Sequence, residues 1–251
     1  MLQRLTDKNT IRRILNTNRH WALYALADLD DGMFEQSEWW GCGNGLALVF
    51  HGISIRPIFV MGDSVNVREL LSALPLESGY LNLPIDNVAA ADGIFTYRQR
   101  HEMCRMILQE FVPRIGETNR LSMNDCPEVE ALFASGNGAG IAFAPAQLAT
   151  GVFRGIRENG ELIAVAGAHV VSVQEGVVGV GNVFVREDRR CRGLAQVVLS
   201  ATVEAVRSKG IQTVGLNVAC ENATAIHAYE KLGFRTQFHY YEGTAERATA
   251  P

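Results

Sequence analysis

Residues 186–195 read Arg-Glu-Asp-Arg-Arg-Cys-Arg-Gly-Leu-Ala. An apolar, β-rich run ending at Val185 feeds this junction, and helical periodicity begins directly after it. A loop that enters a helix in this way turns consecutive backbone N–H groups toward one point, where the helix dipole adds positive potential. Gly193 allows a close approach to the backbone and the small Ala195 leaves room for a bulky anion, while Arg189, Arg190 and Arg192 offer charge-assisted contacts. The chemistry on offer is the holding of a phosphate or pyrophosphate by main chain from Arg190 through Cys191, Arg192, Gly193 and Leu194 to Ala195. The same residues also fit an ordinary strand-to-helix turn with exposed arginines.

A second constellation follows one helix and one strand later. Asn222 suits an N-cap and Gly233 stands where a C-cap glycine belongs, so 222–232 is expected to be helical. Asn222 and Tyr229 are seven apart, two turns along one face. A tyrosine hydroxyl there can donate a proton beside the anion loop, or it can be a core aromatic with its hydroxyl tied to a neighbour.

Together the two stretches resemble the GNAT superfamily of acyl-CoA-dependent N-acyltransferases. Its Arg/Gln-x-x-Gly-x-Gly/Ala motif is matched by Arg190, Gly193 and Ala195, and its Asn-x-x-Ala-x-x-x-Tyr-x-x-x-Gly-Phe stretch by Asn222, Ala225, Tyr229, Gly233 and Phe234. The resemblance covers roughly 120–241 and looks closest to the group that includes the glycine N-acyltransferase-like proteins. It implies a mixed, mostly antiparallel sheet flanked by helices, in an α+β (α/β) architecture. It also implies that the fourth and fifth strands splay apart around the pantetheine arm of acetyl-CoA. By resemblance, main chain of Val183, Phe184 and Val185 pairs with pantetheine, the loop Arg190–Ala195 holds the pyrophosphate, Asn222 contacts the co-substrate and Tyr229 protonates the leaving thiolate. The implied reaction is direct attack of an amine on the thioester, without a covalent enzyme intermediate and without a metal. A thiolate of pKa near ~8.5 asks little of a tyrosine near ~10. Cys191, Arg192 and Glu187 depart from the family's commoner residues without removing a main-chain donor. No base is assigned: Glu175 and Glu187 lie at strand ends, Asn182 sits where a Glu would be convenient, and a water relay is the alternative.

The elements that position these residues are legible after Gly151. The runs 152–157, 162–173 and 177–185 are β-rich and separated by turn residues, which predicts an antiparallel meander. A helix over 194–209, a strand over 211–219 and a strand over 234–241 complete the unit, with 244–251 expected to fray. A short strand is expected at 120–123, a helix from Asp125 to Phe133 and a loop over 136–140. Upstream, the pattern suggests helices over 9–27, 65–74 and 97–111, with strands over 46–50 and 54–59. A seam near 113–118 divides the chain into 1–115 and 116–251. The first part reads as a smaller α/β domain, a candidate degenerate GNAT-like copy that supplies part of an acceptor pocket or the surface of a homodimer.

Bulk numbers narrow the classes. The 251 residues are 47% hydrophobic and 20% charged, as in a globular protein. A net charge of −4 gives no footprint for nucleic acid. No apolar run reaches the ~20 residues of a membrane span, and the amino-terminal stretch is not a signal peptide. Five cysteines without a close pair argue against a disulfide framework or a zinc site and for a cytoplasmic, reducing setting. His169 reads as a core histidine, Trp39–Trp40 as core more readily than pocket, and Asp28, Asp30 and Asp31 as a solvated helix end. The expected function is an N-acetyltransferase acting on a primary amine of a small molecule or amino acid. A non-catalytic acyl-CoA sensor or a protein-interaction module is the alternative.

Overall fold

The computed structural model describes residues 2–136, 140 and 142–248. Its elements are β1 (Gln3–Leu5), α1 (Lys8–Leu15), α2 (Leu23–Ala27), β2 (Ser37–Cys42), β3 (Gly45–Phe50), β4 (Pro57–Met61), α3 (Ser64–Ala73), β5 (Ser78–Pro84), α4 (Val88–Ala91), β6 (Phe95–Tyr97) and β7 (His101–Leu108). They continue with β8 (Asn119–Arg120), α5 (Cys126–Ala134), β9 (Arg154–Glu158), β10 (Glu161–Ser172), β11 (Val177–Val185), α6 (Leu194–Arg207), β12 (Thr213–Ala219), α7 (Ala223–Glu230) and β13 (Phe234–Arg247). Two compact units result: Met1–Arg105 with Val218–Glu221 and Thr236–Pro251, and Met106–Asn217 with Asn222–Arg235. The cuts fall inside β7, β12 and β13. Among the described residues no helix is long and apolar enough to cross a membrane.

In the first unit β1, β2, β3 and β4 form an antiparallel ladder, with Arg4 opposite Trp40, Trp39 opposite Leu48, and Leu48 opposite Phe59. β5 then runs parallel to β4, from Pro57 opposite Tyr80 to Phe59 opposite Asn82. α3 buries Val67, Leu70 and Leu71 against Val49, Ile58, Val60 and Leu81, and Asp63 caps it by accepting from the Asn66 N–H at 2.9 Å. Burial of that apolar face, more than helix propensity, holds the helix.

Four expectations for this region change. Residues 97–111 are not a helix: β7 is a strand whose Cys104, Arg105, Met106 and Ile107 are all buried. A strand covered on both faces shows a continuous apolar run, which can mimic helical spacing. The expected helix over 9–27 is broken into α1 and α2 by a 3₁₀ turn at Asn16–Asn18. The tail does not fray through 244–247: β13 extends to Arg247, with Glu242 opposite Asn82 and Glu246 opposite Thr96. Trp39 is core, stacked 6.2 Å from Phe34, and Trp40 packs against the α3 cluster. Asp28 is half-buried rather than fully solvated; burial and the neighbouring Asp30 push its carboxyl up to about 7.

In the second unit β9, β10 and β11 form the expected antiparallel meander, and β8 adds a short strand paired to β9. Asn159 (φ 53°) and Gly160 (φ 86°) make the β9–β10 turn, a pair suited to left-handed backbone. β12 lies parallel to β11. α6 buries Val198, Leu199, Val203 and Val206, and Gly233 closes α7 at φ 98°, where a Cβ would fall 1.6 Å from the Glu110 carbonyl oxygen. α5 begins one residue after Asp125, with Pro127 in its first turn. Of the loop expected over 136–140, residues 137–139 lie outside the described residues.

Candidate active site

The site is built on β11 and the turn that follows it. β11 continues to Val185, yet its parallel pairing with β12 covers only Val177, Val178 and Gly179, opposite Thr213, Val214 and Gly215. The other edge of β11 stays paired to β10, with Phe184 opposite Val165 and Val185 opposite Ala164. The two parallel strands therefore separate beyond Gly179. Main-chain groups alternate between the two edges of a strand, and the Arg186 N–H donates to the Ile163 carbonyl of β10 at 2.9 Å, so Phe184 also faces β10 while Val183 and Val185 turn their main chain to the unpaired edge. A bulge lies at the same place: Asn182 has φ 53° and the β10–β11 register shifts between Gly181 and Phe184. The Asn182 amide donates to Gln147 Oε1 at 2.9 Å, which fixes the bulge, while Gln147 Nε2 reaches the His169 carbonyl at 3.4 Å. Gly181 is required here because a Cβ would meet the His169 ring at 2.0 Å. The ring of His169 is kept neutral by burial, and its Nδ1 has no partner among the described residues.

After Val185 the chain makes a short 3₁₀ turn, Glu187–Arg189, and enters α6 through Cys191 (φ 63°) and Gly193 (φ 77°). Gly193 is the N-cap and no side chain caps the helix. Among the described residues the N–H groups of Cys191, Arg192, Gly193, Leu194 and Ala195 have no backbone acceptor. Unclaimed donors converging at a helix start, with alternating left-handed residues, form an anion cradle. A Cβ at Gly193 would meet nothing within 4 Å, so the cradle is open.

The arginines behave differently from expectation. Arg189 is bound to Glu158, as is Arg192 at 3.2 Å; Arg186 pairs with Glu161 at 2.8 Å and Asp188 at 2.7 Å; Arg190 pairs with Glu187 at 3.6 Å. The arginine hydrogen bonds hold Glu158 and Asp188 below the usual carboxylate range. The guanidinium charge is thus locally balanced, and the attraction for an anion comes from backbone N–H groups and the helix dipole. Arg190 Nε also donates to the Val185 carbonyl at 3.3 Å, which occupies one main-chain group expected to face a ligand.

α7 brings the remaining two residues. Asn222 is the N-cap, its side chain accepting from the Ala225 N–H at 3.1 Å, so its amide is already engaged in local structure. Tyr229 packs edge-on to Phe234 at 6.3 Å and makes no hydrogen bond among the described residues. Burial pushes its hydroxyl up to about 12, so it carries its proton throughout the neutral range. Gln196, in the first turn of α6, donates from Nε2 to the Ala228 carbonyl at 3.3 Å, which ties the helix of Tyr229 to the cradle. Neither candidate base is at the bulge: Glu175 is buried in the β10–β11 turn and Glu187 is in the 3₁₀ turn. Sequence reasoning missed Gln147, whose role depends on a contact 35 residues away. It also missed the disulfide between Cys104 and Cys220, separated by 116 residues; distance along the chain hid a pair that adjacent strands create.

Residues 125–234 match the Acetyltransferase (GNAT) family. A 98-residue stretch is 31% identical to the [ribosomal protein bS18]-alanine N-acetyltransferase of Escherichia coli, covering 38% of this chain and 64% of that protein. The chain therefore spans somewhat under two thirds of that relative. Among solved structures, a Drosophila protein superposes with a TM-score of 0.71 at 15% identity, covering 98% of each chain. A tandem GNAT protein from the clavulanic acid biosynthesis pathway gives 0.60 at 12% identity, covering 100% of each. The fold is thus GNAT-like along the whole chain, and residues 125–234 within it match the GNAT family.

Proposed function

We propose that the protein is an acyl-CoA-dependent N-acetyltransferase that transfers acetyl from acetyl-CoA to a primary amine of a small molecule or amino acid. The observation that carries this reading is the conjunction of the open β11 edge with the uncapped, unclaimed N–H groups of Cys191 to Ala195. The donor set fits the co-substrate: on the segment of Val183, Phe184 and Val185, the Val183 main chain and the Val185 N–H lie on the unpaired edge and offer strand-like pairing to an extended amide-bearing arm, and the cradle from Arg190 to Ala195 offers N–H donors to a pyrophosphate. Acetyl-CoA supplies a thioester-activated acetyl group. Asn222 acts by setting the start of α7, and its exposed side chain borders that helix end. The half-buried Tyr229 presents a protonated hydroxyl from the same helix. With a pKa near 12 facing a thiolate near ~8.5, complete proton transfer is uphill, so the hydroxyl assists by donating a hydrogen bond as negative charge grows on sulfur.

The region 116–251 would carry the co-substrate, and 1–115 would serve acceptor binding or a homodimer surface. Amine acceptors of relatives extend to proteins, since the Escherichia coli enzyme is named for a ribosomal protein alanine.

Two measurements test the reading. Saturating acetyl-CoA should raise the melting temperature, because a ligand that binds only the folded state stabilises it; no shift contradicts the cofactor assignment. On an acceptor found by a thiol-release screen, Tyr229→Phe should lower kcat by at least about tenfold with little change in acetyl-CoA affinity. Unchanged kcat removes Tyr229 from the chemistry, and activity-free binding by the wild type would favour a sensor.

A further inference from the structure

The first unit brings together two sulfurs and an imidazole that acetyl transfer does not use. Cys104 on β7 and Cys220, just after β12, form a disulfide with Cα atoms 5.4 Å apart. His239 on β13 places Nδ1 3.6 Å from Cys104 Sγ and 3.5 Å from Cys220 Sγ. The three ligating atoms lie within 4.8 Å of one another, the one such group found among the described residues. The backbone holds them in place, since the Cys220 N–H donates to the Glu102 carbonyl at 2.9 Å. Glu102 precedes Cys104 by two residues and so shares its strand face; its carboxylate comes within 3.9 Å of His239 Nδ1.

Those separations have a chemical meaning. A tetrahedral zinc ion with Zn–S near ~2.3 Å and Zn–N near ~2.05 Å requires S···N edges of about 3.6 Å. Both nitrogen–sulfur distances match that edge. The same imidazole nitrogen is within reach of both sulfurs, so the three atoms already surround one point. Two thiolates and an imidazole form a donor set that selects zinc or copper(I) over magnesium or calcium.

We propose that in its dithiol form this cluster is a zinc-binding site, ligated by Cys104 Sγ, Cys220 Sγ and His239 Nδ1, with the Glu102 carboxylate or water in the fourth position. The two forms interconvert in balance. A dithiol reductant delivers two electrons and two protons to the S–S bond, giving two thiols and the oxidised reductant. Zinc then displaces both protons as the sulfurs bind as thiolates and separate to an edge of about 3.8 Å. Cys104 is 3% exposed, whereas the side chains of His239 and Glu102 are 55% and 49% exposed, so the ion has an entry path from the imidazole side.

The test uses the whole chain, reduced with a metal-compatible phosphine, loaded with Zn²⁺ or Co²⁺ and desalted. Mass spectrometry of the metal should find about one zinc per chain, and the cobalt form should show a thiolate-to-metal charge-transfer band. Oxidised protein should hold neither ion. Cys104→Ser with Cys220→Ser should abolish both signals, His239→Ala should weaken zinc by more than the about tenfold that loss of a mere outer-shell partner costs, and Cys126→Ser should change neither. Less than about half an equivalent in reduced wild type, or full retention by the double serine variant, overturns the proposal. Should the double variant fail to fold, the cobalt spectrum of the wild type decides: a reduced protein without the charge-transfer band contradicts the site.

Discussion

The chain contains the same local sequence of elements twice, and only one copy is prepared for an anion. In the first unit β4 leads into α3 and returns as β5, parallel to β4 from Pro57 to Phe59. In the second, β11 leads into α6 and returns as β12, parallel to β11 from Val177 to Gly179. The turns differ. β4 reaches α3 through Gly62 and Asp63 alone, and the Asp63 carboxylate accepts from the Asn66 N–H and from the Asn66 amide at 2.8 Å. β11 reaches α6 through residues 186–193, and the N-cap is Gly193 with no side chain on the free donors. A helix start has the same unsatisfied N–H groups in both places. One copy satisfies them with its own carboxylate, which also repels a phosphate; the other leaves them open. The strand–helix–strand passage is common to both units, and the difference in free N–H donors lies in one turn.

Transferring the cap breaks the difference most strongly. Gly193→Asp should weaken coenzyme A binding by about 10- to 100-fold, because the new carboxylate competes for the N–H donors and opposes the pyrophosphate. Gly193→Asn tolerates the same left-handed backbone without the charge and should lose much less. Equal losses in titration calorimetry would show that conformation rather than charge closes the cradle.

The reciprocal change is smaller and concerns stability. Asp63→Ala should lower the melting temperature by uncapping α3. The hydrogen bond from the Asn66 N–H leads the causes that hold the Asp63 carboxyl below its ordinary value, so its contribution is present above the unfolded-state pKa and is lost as pH falls through the lower folded-state pKa. The gap between wild type and variant should therefore be full near neutrality and narrow below the normal carboxylate range in thermal melts across pH. A gap that widens on acidification would contradict the capping role.

What the sequence revealed follows from where information is local. The cradle, the cap at Asn222, the closing Gly233 and the meander from β9 to β11 are each encoded within a few residues. β7 was hidden because Met103, Met106, Ile107 and Phe111 keep helical spacing although the strand is buried on both faces around Arg105. Arg105 itself is satisfied by aromatic faces, lying 4.4 Å over Trp21 and 5.2 Å from Tyr240. The polar ending of β13 looks like a tail until β5 pairs with it. The pairing of the loop arginines with Glu158 and Glu161 also needed strands distant in sequence, so a cluster that looked like free positive charge is balanced in the fold.

The most direct test of the account is the stoichiometry of coenzyme A binding to the full chain by titration calorimetry, in wild type and in Gly193→Asp. The two-turn comparison predicts a single site per chain whose heat disappears in the variant over the same concentration range. Two sites per chain, or one site that survives Gly193→Asp unchanged, would contradict it.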